Sequence, residues 1–126
     1  MKYLPDTNVL IYALAGKTPY ANWLRKAIEN NELVLSVITV AEFLSGANEN
    51  EAIMFKCITN KFDVLSIDLR VAQKAAEYKK NYSKKTKKVW MSDCLIAATC
   101  KIFDITLITM DSKDYPMEDI EVVTKI

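Results

Sequence analysis

Histidine is absent from this sequence. That absence removes the Ser-His-Asp triad, the Cys-His pair and the commonest zinc ligand. An enzyme built from this chain must work with carboxylates, lysines, hydroxyls or a hard metal ion. Glycine numbers 2 and proline 3, which excludes a flexible linker or a low-complexity tract, and no internal repeat is visible. The 3 cysteines, Cys57, Cys94 and Cys100, lack CxxC spacing. They are expected to be reduced core residues of a cytoplasmic protein. An excess of one charge is also lacking: the net charge is +1 at pH 7, so bulk electrostatics points to neither nucleic acid nor a membrane surface. No apolar run is long enough to span a bilayer. Pro5 and Asp6 arrive before a signal-peptide apolar region could form, so the expected location is the cytoplasm.

What is present suffices for a core. The 126 residues are 51% hydrophobic and 26% charged, which fits a single domain over 1–126. Short apolar runs alternate with helical segments. "KYL" reads as a strand, followed by a helix over 8–15 that Gly16 ends. "PYANWLRKAIENN" has helical spacing with Pro19 near its start. "ELVLSVI" reads as a buried strand and "TVAEFLSGA" as a short helix stopping near Gly46. "ENEAIMFKCITNKF" reads as a helix with Ile53, Met54, Cys57 and Ile58 on one face. "DVLSI" is a strand, and "DLRVAQKAAEYKKNYS" an amphipathic helix capped by Asp68. "SDCLIAATCKIF" is an apolar helix with Ser92 as its expected cap. "ITLITM" is a strand, "DSKDYP" a turn and "EVVT" a last strand. Strands alternating with helices imply right-handed crossovers and a mostly parallel sheet covered on both faces. The expected fold is a three-layer α/β/α sandwich.

In such a sheet every strand ends on one edge, where ligands bind. Asp6 follows the first strand directly. Glu42 lies in the helix after the second, Asp93 begins the helix that precedes "ITLITM", and Asp111 follows that strand. Four acids far apart in sequence are therefore expected on one rim. Each also has an ordinary explanation. Asp6 or Asn8 can cap a helix, Thr39 and Glu42 fit a capping box, Asp93 suits the positive end of its helix, and Asp111 and Asp114 suit a turn. Together, however, crowded carboxylates repel and call for positive charge. With no histidine to supply it, a hard divalent cation is the natural counter-charge: Mg²⁺ takes oxygen ligands and keeps several waters, and Mn²⁺ accepts the same set.

"DTNVLIYAL", "TVAEFLSG", "SDCLIAAT" and "LITMDSKDY", in that order and spacing, resemble the four motifs of PIN-domain ribonucleases, particularly the VapC-type toxins of toxin–antitoxin pairs. The resemblance implies a PIN-like fold and cleavage of RNA phosphodiester bonds with Mg²⁺ or Mn²⁺. It places Asp6, Glu42, Asp93 and Asp111 as the catalytic acids, with Asp114 as an extra candidate. Asp6 and Asp93 are expected as the main metal ligands, and Glu42 and Asp111 as ligands through water or as groups that orient it. Thr7 and Asn8 are expected to hold the first turn and to contact the acids or the substrate. The resemblance further implies a homodimer and an inhibiting antitoxin that inserts a segment into the acidic site. The helices over 18–30 and 48–61 are the expected dimer surface. Two positions depart from the family pattern. Pro5 removes a backbone donor near the end of a central strand, and is expected where that donor is not needed. Met110 stands where an arginine is common.

The local basic concentration is "YKKNYSKKTKKVW", over 78–90. Lys84, Lys85, Lys87 and Lys88 are expected to hold an RNA backbone, against the alternative of a solvated helix end. Tyr82 or Trp90 offers a stacking surface for a base, although Trp90 leads into an apolar helix and is expected in the core. The competing function is a catalytically inactive PIN-fold domain that binds nucleic acid or a partner. A haloacid-dehalogenase-type phosphatase needs an acid where this chain has Asn8, and a receiver-like domain needs paired acids where it offers Asp6.

Overall fold

The computed structural model describes residues 1–84 and 88–126. Lys85 and Lys87, both expected on an RNA surface, lie outside the described residues. The elements follow in the order β1 (Tyr3–Pro5), α1 (Thr7–Leu14), α2 (Tyr20–Glu29), β2 (Val34–Ser36), α3 (Val37–Gly46), α4 (Glu49–Thr59), β3 (Asp63–Leu65), α5 (Leu69–Tyr82), α6 (Met91–Phe103), β4 (Thr106–Ile108) and β5 (Val122–Val123). A 3₁₀ turn, Ser112–Asp114, lies between the last two strands. No helix among the described residues is long and apolar enough to cross a membrane.

The pairings of the named strands among the described residues are parallel: β1 with β4, β4 with β5, and β2 with β3. A parallel bridge between Tyr3 and Leu33 sets β2 beside β1, giving the spatial order β3, β2, β1, β4, β5. Pro5 explains why the β1–β2 ladder is no longer than one bridge. The Tyr3 N–H donates toward β2, to the Glu32 carbonyl at 2.8 Å, whereas the Asp6 N–H donates toward β4, to the Ile108 carbonyl at 2.9 Å. Alternation along a strand puts residue 5 on the β2 side. Proline has no donor to offer there, so the ladder to β4 is intact and the ladder to β2 stops.

Side chains alternate faces along the strands and build two cores. Val34, Leu4 and Leu107 join Val71, Ala75, Ile96 and Ala97 of α5 and α6 on one face. Leu33 and Leu35 join Leu10, Leu24, Phe43 and Phe55 of α1–α4 on the other. The expected three-layer sandwich is thereby formed.

Several local expectations are corrected. The second strand ends at Ser36, whose hydroxyl accepts from the Ile38 N–H at 3.1 Å, so Val37 and Ile38 open α3. Thr39 and Glu42 consequently lie inside α3 and form no capping box. The N-cap of α6 is Trp90, not Ser92, and no side chain caps it. On α4 the inward stripe is Ala52, Phe55, Ile58 and Thr59, while Ile53, Met54 and Cys57 face out. Cys94 and Cys100 are buried as expected, and Cys57 is exposed. Asp68 caps α5 by accepting from the Val71 N–H at 3.0 Å, and Gly16, at φ +80°, follows α1.

Candidate active site

The C-terminal edge of the sheet carries a cavity of about 320 Å³ lined by Asp6, Thr7, Asn8, Glu42, Ser45, Asp93, Asp114 and Tyr115. Topology explains the convergence. Asp6 leaves β1, Glu42 lies on α3 just after β2, Asp93 is in the first turn of α6, and Asp114 closes the 3₁₀ turn beyond β4. Three of the four acids expected on this rim therefore meet. The fourth lining acid is Asp114, while Asp111 is absent from the lining. The Asp111 carboxylate instead accepts from the Lys113 N–H at 3.0 Å and starts the turn that presents Asp114.

Asp6 is the anchor. It is buried; its Oδ1 accepts from the Val9 N–H at 3.1 Å, capping α1, and its Oδ2 accepts from the Thr109 hydroxyl at 2.5 Å. The same hydroxyl accepts from the Asp111 N–H at 3.2 Å, tying the 3₁₀ turn to Asp6. Thr7 donates to Glu42 Oε1 at 2.7 Å, which links the first turn of α1 to α3. The hydroxyl of the buried Tyr115 donates to Asp93 Oδ1 at 3.3 Å. Thr109, Tyr115 and Ser45 had not been singled out from the sequence. Thr109 had one available signal, a hydroxyl closing an apolar strand at the ligand-binding edge.

The acids feel one another. Burial pushes the Asp6 carboxyl up from its usual range; the bonds from Thr109 and Val9 partly offset this, and Asp114 and Glu42 add repulsion. Asp93 is pushed up to about 6, first by burial and then by Asp114, with Glu42 and Asp6 adding to it and the Tyr115 hydroxyl opposing. The cavity thus holds uncompensated negative charge, and its lining offers oxygen donors with no thiol or imidazole. That set fits a hard divalent cation. As the side chains stand, no three His, Cys, Asp or Glu groups among the described residues are close enough to form a ready cage. The arrangement is an open basin, which suits an ion that keeps most of its waters.

Of the basic run, Lys84 and Lys88 are exposed. Tyr82 is half-buried, packs against Tyr78 at 6.1 Å, and accepts from the Glu118 N–H at 3.4 Å. Trp90, expected in the core, is 60% exposed.

A parallel sheet between helical layers, with four acids on the edge where its strands end, defines a small α/β nuclease-like domain. The chain belongs to the PIN domain family, whose model matches residues 3–120. It is 29% identical over 114 residues to Ribonuclease VapC10 of Mycobacterium tuberculosis, covering 90% of this chain and 86% of that protein. Among solved structures it resembles FitAcB from Neisseria gonorrhoeae, with a TM-score of 0.75 and 27% identity over 95% of each chain. It also resembles VapBC2 from Rickettsia felis bound to a promoter DNA fragment, with a TM-score of 0.81 and 20% identity over 98% of each chain; that likeness is one of fold.

Proposed function

We propose that this chain is a Mg²⁺- or Mn²⁺-dependent endoribonuclease, a single nuclease domain over 1–126 acting as the toxin of a toxin–antitoxin pair. The observation that carries the proposal is the acid basin, in which burial first, and then the neighbouring carboxylates, raise the proton affinity of Asp6 and Asp93. The family and the ribonuclease relatives support the same reading.

Asp6 and Asp93 are the ligands that would hold the ion. Bound there, a divalent cation would supply an acidified water and charge to offset that of the phosphate and the leaving oxygen. Thr109 fixes the Asp6 carboxylate and Tyr115 steadies Asp93. Glu42, held by Thr7 through one oxygen, lines the cavity and is assigned to orienting water. Asp114 adds a fourth carboxylate to the lining, and Asp111 contributes by shaping its turn. Asn8 is exposed at the cavity and, with Thr7, is assigned to substrate contact. Lys84 and Lys88 are assigned to the RNA backbone, with Lys85 and Lys87 of the same run.

The expected partners are an RNA, a cognate antitoxin and a second copy of the chain, in the cytoplasm. An acidic basin accepts a Lys or Arg from an inhibiting segment through charge-assisted hydrogen bonds. Several structural neighbours are themselves toxin–antitoxin complexes, including one from Klebsiella pneumoniae with a TM-score of 0.76 and 25% identity. Exposed Ile53 and Met54 on α4 support that helix as part of a dimer surface.

The test is cleavage of RNA by the purified protein with Mg²⁺, beside Asp6→Asn. Metal-dependent cleavage that the variant lacks is expected. Identical behaviour of the two proteins overturns the nuclease and leaves a binding domain.

A further inference from the structure

Trp90 is the N-cap of α6, and Asp93 is the third residue of that helix. Two residues separate them, and each residue of a helix advances the chain by about 1.5 Å. The backbone that carries the indole therefore lies within about one helical turn of a basin-lining carboxylate, although Trp90 is not part of the lining itself. It is 60% exposed, and the following Met91 is 44% exposed. Its neighbour Val89, by contrast, is buried. An indole left in water beside a buried valine contributes little to the core.

One ammonium group faces the ring. The Lys88 ammonium lies 5.0 Å from the ring centroid. Lys84 is exposed nearby in sequence. Lys79 donates to the Val89 carbonyl and so ties the end of α5 to the segment that delivers Trp90. A flat π-surface with the Lys88 ammonium beside it matches an unpaired nucleobase followed by phosphate, since every base has a stackable face and the backbone is anionic. A protein partner would meet the same lysines as an electrostatic cost unless it were acidic.

We propose that Trp90 is a substrate-positioning residue that stacks an unpaired base of single-stranded RNA, with Lys88 contacting the adjoining phosphate, so that the next phosphodiester reaches the acid basin. The assignment rests on the ribonuclease reading but concerns binding, which is measurable without cleavage. Duplex RNA hides its base faces, so a single strand is the expected ligand.

The chain has 2 tryptophans, so Trp23→Phe leaves Trp90 as the sole indole emitter. In EDTA, where metal-dependent cleavage is silent, saturable quenching of Trp90 emission by a single-stranded 12-nucleotide RNA is expected, with much weaker quenching by a duplex. In Mg²⁺, Trp90→Ala is expected to raise KM for the single-stranded substrate about tenfold with kcat nearly unchanged, and Trp90→Phe to recover most of the loss. Unchanged emission with RNA, equal quenching by duplex, or emission that instead follows protein concentration overturns the assignment, the last making this a protein contact. If wild-type protein binds the strand through Trp90 but cleaves nothing, the stacking role stands and the nuclease reading fails.

Discussion

The Thr109 hydroxyl donates to Asp6 Oδ2 at 2.5 Å, joining residues 103 positions apart in sequence. This bond holds the first acid of the basin in one orientation and opposes the rise in its proton affinity. Thr109→Val keeps the shape and removes the donor. Activity should fall about ten- to hundredfold, the usual cost of losing an outer-shell partner of a metal ligand. The acid limb of the pH–rate profile should move to higher pH, because Asp6 loses a bond that favours its charged form. Thr109→Ser, which retains the hydroxyl, should behave nearly as wild type. A profile unmoved by the valine variant would remove Thr109 from the site.

Asp114 and Asp111 are separated by one turn and have different surroundings. Asp114 lines the cavity, whereas the Asp111 side chain binds the Lys113 N–H. Asp114→Asn should therefore reduce Mg²⁺ affinity, read by titration calorimetry, with little change in unfolding midpoint. Asp111→Asn can keep the cap while losing its charge, and should leave metal affinity close to wild type. Asp111→Ala loses the cap as well and should cost about 1 kcal/mol of stability. The reverse ranking of the two asparagine variants in metal affinity would restore Asp111 as the fourth acid.

The basin should make the metal-free protein unusually tolerant of mild acid. Asp93 titrates near 6 in the fold against 3.8 for the free side chain. A folded value above the unfolded one means that protonation favours the folded state. The contribution is fully present below 3.8 and is lost as pH rises through 6; Asp6 acts in the same direction. Asp68 and Asp119 shift downward and lose their contribution only in stronger acid. In EDTA the melting midpoint should be higher at pH 5 than at pH 8. Mg²⁺ should raise the pH 8 midpoint, and Asp93→Asn should flatten the dependence. A midpoint that is higher at pH 8 in EDTA would contradict the account in which burial and neighbouring carboxylates raise these acids.

The sandwich was legible in the sequence because its evidence is repeated: each strand and helix alternates in turn, and an acid at a strand's C-terminal end must lie on the shared edge. Asp6 needed only that rule, while Glu42 and Asp93 needed its counterpart, that a helix running back from the sheet starts at the same edge. The choice between Asp111 and Asp114 depended on a tight turn, whose geometry turns on a side-chain cap that spacing does not encode. On α4 two apolar stripes were available, one through Met54 and Cys57 and one through Ala52 and Phe55. The large ring of Phe55 decided between them by finding Phe43 across the layer. Trp90 was misplaced for a related reason. Apolarity read along the chain put it with the helix that follows, but the core of α6 begins at Cys94, leaving the N-cap outside.

Phe55 carries the attachment of α4. It is 1% exposed, no other residue of that helix is fully buried, and its ring stacks on Phe43 with centroids 4.3 Å apart and 27° between planes. Phe55→Ala removes the ring and leaves a cavity beneath a helix with little else to hold it, so about 3–5 kcal/mol should be lost. That is a large share of the roughly 5–15 kcal/mol that stabilises a domain. Phe55→Leu, which preserves most of the volume, should cost less. Phe43 adjoins Glu42 on α3, yet Glu42 is also tied to Thr7 on α1. The site should therefore survive better than the fold. Urea unfolding of Phe55→Ala should show a much lower midpoint, while Mg²⁺ affinity in the folded fraction stays near wild type. If affinity falls in proportion to stability, α4 supports the basin directly.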